Sequence, residues 1–426
     1  MIEAEESMST PSSMQVRGSD IFDPMTLSNL QEPFVFFAKL RKEKPVYWNE
    51  QYSFWMLTRY QDVKAALRAP RQFTSATGVE IEKRAEQIPQ SARASFDIAK
   101  RFTYTHMQAS DPPKHTDQRG AVMNAFTPQV VAEMRTSIQH RADRLLDEME
   151  RKGTCDFVSQ FAYPLPSLVI FDLLGVPSED HETIRKAAKA LGMFPSAVYK
   201  RDFESMERIA ERLTQAQGVL ERLIQQRRRE PTKDLISILV HADTGTTQLP
   251  DDDIVVLCNF LLFAGHETTA NLLSGSLRCL LEKRKLWEQL KATPEMIPAA
   301  VEELLRFVSP VLWVSRVPAE DIELNGQVLR KGSRVQLGIG AANHDPSEFT
   351  NPEQLDFTRP KVNSLAFGYG PHFCMGAALA KMEAQIALSR LLRRMPQVQL
   401  GINHFEYEPL YILRALKSLP ILVRPS

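Results

Sequence analysis

Phe367-Gly-Tyr-Gly-Pro-His-Phe-Cys-Met-Gly376 is the stretch on which the reading of this chain turns. Glycines at 368, 370 and 376 predict a tight, closely packed loop. Beyond it, the apolar spacing of Met375, Leu379, Met382 and Ile386 predicts a helix over 376–395. Cys374 therefore stands at a helix N-terminus, where the dipole and free backbone N–H groups favour a thiolate. The same N–H groups can hydrogen-bond a metal-bound sulfur and tune it. On these residues alone three readings stay open: a buried cysteine in a turn, a metal ligand, or a nucleophile with His372 as its base. Structural zinc asks for about four ligands, and Cys155, Cys258 and Cys279 form no CxxC pair or Cys/His cluster with Cys374.

Outward from that loop the chain reads as mostly helical. Periodic apolar positions predict helices over 130–151, 161–174, 180–193, 202–228, 254–281 and 296–308. The longest of these opens on Pro250-Asp-Asp-Asp253, acids at the positive end of a helix dipole. An amphipathic helix is expected between Asp23 and Trp48, then a hairpin of 46–48 with 54–57, then a short helix over 60–68. Asn325-Gly326 centres a second hairpin within 321–330, and 335–339, 411–413 and 419–423 read as strands. Residues 74–110 show no clean period and are expected to form an irregular lid or binding loop. Residues 1–19 read as a disordered leader, and 20–426 as a single domain with no linker inside it.

Composition narrows the function classes. Lys+Arg and Asp+Glu both number 52, which argues against non-specific nucleic-acid binding. Few, scattered cysteines fit a reducing compartment, so a cytoplasmic location is expected. The polar, acidic N-terminus has no signal core, and the apolar run 254–264 falls short of the roughly 20 residues that span a bilayer. No membrane anchor is expected.

Four further segments carry chemistry in order along the chain. Asp111-Pro-Pro-Lys-His-Thr-Asp-Gln-Arg119 puts His115 and Arg119 on one helix face. Ala264-Gly-His-Glu-Thr-Thr269 sets a carboxylate and hydroxyls inside an apolar helix, which is costly unless they are partnered. Glu303-Leu-Leu-Arg306 can pair at i, i+3. Val314-Ser-Arg-Val-Pro318 supplies Arg316. Taken one at a time, each has a bland reading as solvated or surface polar residues.

Together the five segments resemble the cytochromes P450. The loop matches that family's Phe-Gly-x-Gly-x-His-x-Cys-x-Gly signature at every fixed position, and the resemblance runs from about Asp23 to the end. It implies a mainly α fold with a minor β region, holding haem b (iron protoporphyrin IX) between the long central helix and the cysteine loop. Cys374 would be the iron ligand, with Gly376 closing the loop. His115, Arg119, Arg316 and His372 would hold the propionates. Ala264 and Gly265 would leave room for dioxygen, and Glu267 and Thr268 would relay the two protons that O–O cleavage needs. Asp is the commoner acid at Glu267 in bacterial members. Glu303, Arg306 and a later arginine, Arg359, would form a buried structural lock. Asn343-His-Asp-Pro346 departs from the commoner Asn-Arg-Asp-Pro.

The implied activity is monooxygenation: hydroxylation or epoxidation of a hydrophobic small molecule with O2. Thiolate ligation favours O–O cleavage. No flavin or iron–sulfur signature is present, so electrons would come from NAD(P)H through a reductase and a small acidic ferredoxin. Lys114, Lys381, Arg390, Arg393 and Arg394 are the candidates to meet it, each equally readable as a solvated helix charge. The resemblance places substrate contacts in 76–106, 191–194, the central-helix face at Phe260, Phe263 and Ala264, Val311–Val314 with Trp313 beside the haem, and Tyr411–Ile412. Rival readings are a peroxygenase or haem isomerase, a haem sensor, and a cysteine hydrolase. The Glu267–Thr268 pair argues against the haem-based rivals.

Overall fold

The computed structural model describes residues 23–242 and 248–423. The expected leader, residues 1–19, lies outside the described residues. The central helix, Asp251–Glu282, organises the rest. It is buried on nearly every side, as a helix apolar all round must be. Its first half, Ile254–Leu262, joins one apolar core with the helices Gln90–Tyr104, His181–Lys200 and Phe203–Arg229. Its second half, Leu272–Leu281, joins another with Pro128–Lys152, Ile297–Val308 and Ala377–Arg394. The small and polar residues 264–269 fall at the seam between the two cores, and that is where the cavity opens.

A five-stranded sheet flanks this body in the order Val46–Asn49, Phe54–Leu57, Arg334–Gly338, Trp313–Pro318, Phe73–Thr74. The expected hairpin pairs Val46 with Leu57 and Asn49 with Phe54. Trp313–Pro318 runs antiparallel to Arg334–Gly338, with Val314 opposite Leu337 and Arg316 opposite Val335. The second hairpin turns through Asn325 and Gly326 at φ of 51° and 71°, the left-handed pair a two-residue turn requires.

Most expected helices are present within a few residues, and the departures have physical reasons. Residues 74–110 are not an irregular loop. Helices Gly78–Arg84 and Gln90–Tyr104 occupy most of the segment, the second burying Ala92, Phe96, Ala99 and Phe102 on one face. Small alanines in that stripe diluted its apolar period. The helix from His181 continues through Pro195 to Lys200, because Ala197 and Val198 extend its buried face. Residues 411–413 form no strand; only an isolated bridge joins Val311 and Leu413. The first helical stretch is two helices, Leu27–Gln31 and Pro33–Glu43.

Candidate active site

The cysteine loop is shaped by its glycines. Gly368 and Gly370 adopt φ of 72° and 75°. A Cβ on Gly370 would lie 2.8 Å from the Leu67 carbonyl oxygen, so the loop packs backbone to backbone on the helix Tyr60–Arg68. Cys374 N–H donates to Phe367 O at 2.9 Å, and Arg119 Nη2 donates to Phe373 O at 2.9 Å. The Sγ faces the cavity, two residues before the helix cap Gly376. Burial pushes the Cys374 thiol up, while the Gly376 amide and the Arg119 guanidinium favour the thiolate.

The cavity has a volume of about 240 Å³. Cys374 lines one wall, and Ala264, Gly265, Thr268 and Thr269 line another. Gly265 is small for a packing reason: a Cβ there would meet Ile170 Cδ1 at 3.1 Å.

His115, Arg119, Arg316 and His372 all reach this cavity. The His115 and His372 rings lie 4.1 Å apart, and His372 Nε2 is 2.9 Å from Ser75 Oγ. Burial, then the Arg316, His115 and Arg119 charges, pull His372 down to about 3. Burial, then Arg119, also lowers His115. Arg316 is buried, donates to its neighbour's carbonyl Ser315 O at 2.7 Å, and is pulled down to about 10 by burial. His115 Nε2 is buried without a partner among the described residues. Asp111 is a carboxylate whose charge reaches His115 and Arg316, and the four donors outnumber it. The propionates of a haem would supply further anions, and Cys374 would supply the sulfur ligand to its iron. The donor set fits a haem. It does not fit zinc, since no group of three or more metal-binding side chains exists among the described residues.

The Glu267–Thr268 pair is divided. Thr268 Oγ1 lines the haem cavity and donates to Ala264 O at 2.9 Å. Glu267 faces away, into a separate pocket of about 350 Å³ walled by Tyr163, Arg185, Lys189 and Arg212. Its Oε2 accepts from the Tyr163 hydroxyl, and its Oε1 lies 3.3 Å from His266 Nε2. His266 Nδ1 donates to Leu262 O at 2.6 Å. Burial raises the Glu267 carboxyl, but the His266 and Tyr163 contacts more than offset it, leaving it below the usual range. Tyr163, invisible to motif reading, lies 104 residues from Glu267 in sequence.

Glu303, Arg306 and Arg359 meet in the fold. Arg306 donates twice to Glu303 at 2.8 Å, and Arg359 Nε donates to Glu303 Oε1 at 2.9 Å. His344, in the divergent Asn343-His-Asp-Pro346, stacks on Phe34 at 4.0 Å.

The substrate-side residues divide by strand period. Val311 and Val314 line the cavity, as do Phe260 and Leu261. Trp313 does not stand beside it; alternation turns it to the other sheet face, edge-on to Phe37 at 5.1 Å. Phe263 packs on Gly192, where a Cβ would be 2.6 Å from its ring. Tyr411 and Ile412 belong to the core with Trp313, away from the cavity. Of the five surface cations, Lys114, Lys381, Arg390 and Arg394 are tied to Asp253, Glu302, Asp143 and the Asp143–Asp147–Glu150 group. Arg393 alone of the five has no ion pair among the described residues. No helix among the described residues is long and apolar enough to cross a membrane.

A cysteine-walled cavity with a cationic rim beneath a small-residue helix is the site of a haem-thiolate protein. The sequence profile of cytochrome P450 matches residues 26–396. The polyketide biosynthesis cytochrome P450 PksS of Bacillus subtilis strain 168 is 35% identical over 410 residues, covering 94% of this chain and 98% of that protein. The crystal structure of P450BioI with a hexadec-9Z-enoic acid ligated acyl carrier protein superposes with a TM-score of 0.85 at 34% identity, covering 93% and 99% of the two chains. CYP109E1 from Bacillus megaterium, in complex with testosterone, gives 0.82 at 32% identity over 94% and 100%. The chain belongs to the cytochrome P450 family, oxygen-incorporating oxidoreductases that bind haem b.

Proposed function

We propose that this chain is a haem-thiolate monooxygenase that inserts one atom of O2 into a hydrophobic small molecule, by hydroxylation or epoxidation. The observation that carries the reading is one cavity bringing together Cys374, the small face of the central helix and the four rim donors. Cys374 would ligate the iron, with the Gly376 amide and Arg119 supporting the thiolate. Arg316, His115, Arg119 and His372 would hold the propionates. The bound haem supplies dioxygen activation. The protein's own part is to bind an apolar substrate against Phe260, Val311 and Val314, to exclude water, and to deliver protons. Thr268 would present its hydroxyl to the haem side. Glu267 would collect protons from the pocket at Tyr163 and turn toward Thr268 to pass them on. An acyl chain and a steroid on two relatives support an apolar substrate body.

Electrons would come from a separate partner, a ferredoxin with its NAD(P)H-dependent reductase, in the cytoplasm. The ion pairs on Lys114, Lys381, Arg390 and Arg394 leave Arg393 as the strongest of the five candidates to meet it. The ferrous–CO difference spectrum tests the ligand. Wild type should give the strongly red-shifted Soret band of thiolate ligation, and Cys374→Ala should lose it. A histidine-type band, or a variant with an unchanged spectrum, would overturn the assignment.

A further inference from the structure

One residue outside every motif reaches the rim of the cavity from behind. Ser75 follows the edge strand Phe73–Thr74, and its Oγ lies 2.9 Å from His372 Nε2. Ser75 is 1% exposed and does not line the cavity, whereas His372 does. The serine is fixed through its backbone. Ser75 N–H donates to Asp111 Oδ1 at 3.0 Å, and the Thr74 hydroxyl donates to Asp111 Oδ2. The Thr74 oxygen in turn accepts from Ala76 N–H at 3.0 Å. The backbone oxygen of Asp111 accepts from His115 N–H at 3.0 Å. One aspartate thus ties the serine segment to the start of the helix Lys114–Met123, which carries His115 and Arg119.

Proton counting decides which way the Ser75–His372 bond runs. Ser75 Oγ has no second hydrogen-bond partner among the described residues. A hydroxyl carries one proton, and a neutral imidazole carries one N–H and one bare nitrogen. With the ring proton on Nε2, the ring would donate to Ser75 Oγ and leave the hydroxyl proton buried without an acceptor. A doubly protonated ring would strand the same proton. Buried, unmade hydrogen bonds are costly and rare. Only a ring protonated on Nδ1 alone offers the serine a bare Nε2, and then the hydroxyl donates.

The partner of one ring nitrogen sets the proton on the other. His372 lines the cavity, and with Nε2 taken by Ser75, its Nδ1 is the nitrogen left for a ligand there. A carboxylate brings lone pairs only, so it needs an N–H to meet. The other tautomer would set a bare nitrogen against it, a repulsion in place of a bond. The Ser75 bond also fixes the ring's rotation, because a flipped ring would turn a carbon to the hydroxyl. A donor already aimed loses less freedom when its ligand arrives.

We propose that Ser75 is a positioning residue for the haem: its hydroxyl donates to His372 Nε2, holds the ring in the Nδ1–H form, and keeps that N–H available to a haem propionate. Asp111 holds Ser75 in place for the task. This rests on the reading of His372 as a propionate donor and adds the residue that sets its proton.

The test is nitrogen-15 NMR of the haem-loaded protein in its diamagnetic ferrous–CO form, labelled at histidine, with His372→Ala identifying the His372 signals. Wild type should show His372 with a protonated Nδ1 and a bare Nε2. Haem transfer to excess apomyoglobin gives a second readout. Ser75→Ala should speed haem loss about two- to tenfold, as removal of one buried hydrogen bond does. In the His372→Ala background the same change should add no further factor. A serine that only packs its loop predicts an equal factor in both backgrounds. That result, or a wild-type His372 with its proton on Nε2 or on both nitrogens, overturns the proposal. Haem loss unchanged by His372→Ala would overturn the propionate role on which it rests. The ferrous–CO spectrum of the same sample keeps the readings apart: a thiolate band with the wrong tautomer sinks the Ser75 assignment alone.

Discussion

Replacing Glu303 by alanine removes both acceptors from a guanidinium that water cannot reach. Glu303 and Arg306 are each fully buried, and the carboxylate receives four donors: two from Arg306 at 2.8 Å, Arg359 Nε at 2.9 Å and the Asp356 amide at 3.1 Å. Arg306 would keep only neutral acceptors, Asn343 O, Pro352 O and Gln354 O. Breaking one side of a buried pair costs about 3–5 kcal/mol, because the remaining charge stays desolvated. Arg359 lies nearer solvent and, when lost, leaves Glu303 with the Arg306 fork intact. Its bond to Glu303 is then removed, worth about 1.5–3 kcal/mol, while the freed carbonyls of Thr350, Asn351 and Gln354 lie where the Arg359 side chain met them near the surface. Arg306→Lys should fall between, since an ammonium cannot reproduce the fork. Urea unfolding followed by tryptophan fluorescence, with haem content measured on the same samples, gives the ranking Glu303→Ala, then Arg306→Lys, then Arg359→Ala. The carbonyls held by the two arginines lie in 343–354, just ahead of the cysteine loop, so haem content should fall in the same order. A loss below about 1 kcal/mol for Glu303→Ala, against that expectation for a buried pair, or a larger loss for Arg359→Ala, would refute the reasoning.

Tyr163→Phe removes a hydrogen bond that lowers the Glu267 carboxyl. The pH dependence of coupling, read as product per NAD(P)H, should therefore shift to higher pH; an unmoved profile would show that Glu267 does not govern proton supply. Gly370→Ala combines a φ of 75° with a Cβ 2.8 Å from Leu67 O, whereas Gly326→Ala meets open space at a φ of 71°. The first should cost clearly more than the roughly 1 kcal/mol expected of left-handed strain alone, as denaturation midpoints would register. Glu383, buried with its Oε2 unpartnered, is pushed up to about 8 by burial. Its folded form keeps a proton that the unfolded chain releases above about 4.5, so stability should fall as pH rises from about 4.5 to 8 and then level off. Glu383→Gln should flatten that slope, and an equally steep fall in the variant would clear Glu383 of responsibility.

The parts of this molecule legible in its sequence are those whose geometry is local. The cysteine loop declares itself because glycine spacing and a helix start lie within ten residues. His115 and Arg119 share a helix face at i, i+4 and do reach one cavity. The central helix was readable from its apolar residues over 254–281 and its acidic start at 251–253. The helix Gln90–Tyr104 was not, because alanine, with little to bury, marks half of its inner stripe.

Orientation within an element was also legible in principle. Adjacent residues on a helix point about 100° apart, so Glu267 and Thr268 cannot both face the haem from one helix position, and the structure gives them separate pockets. Once Arg316 is assigned to the rim, a period of two puts Val314 on the same side and Trp313 on the other. By contrast, nothing local announces the Arg334–Glu80 pair, whose members are 254 residues apart. Motif reading finds the chemistry a family shares, because that chemistry is held in short segments. What this chain does with it depends on contacts between segments: which donors are left without acceptors, and toward which cavity each one turns.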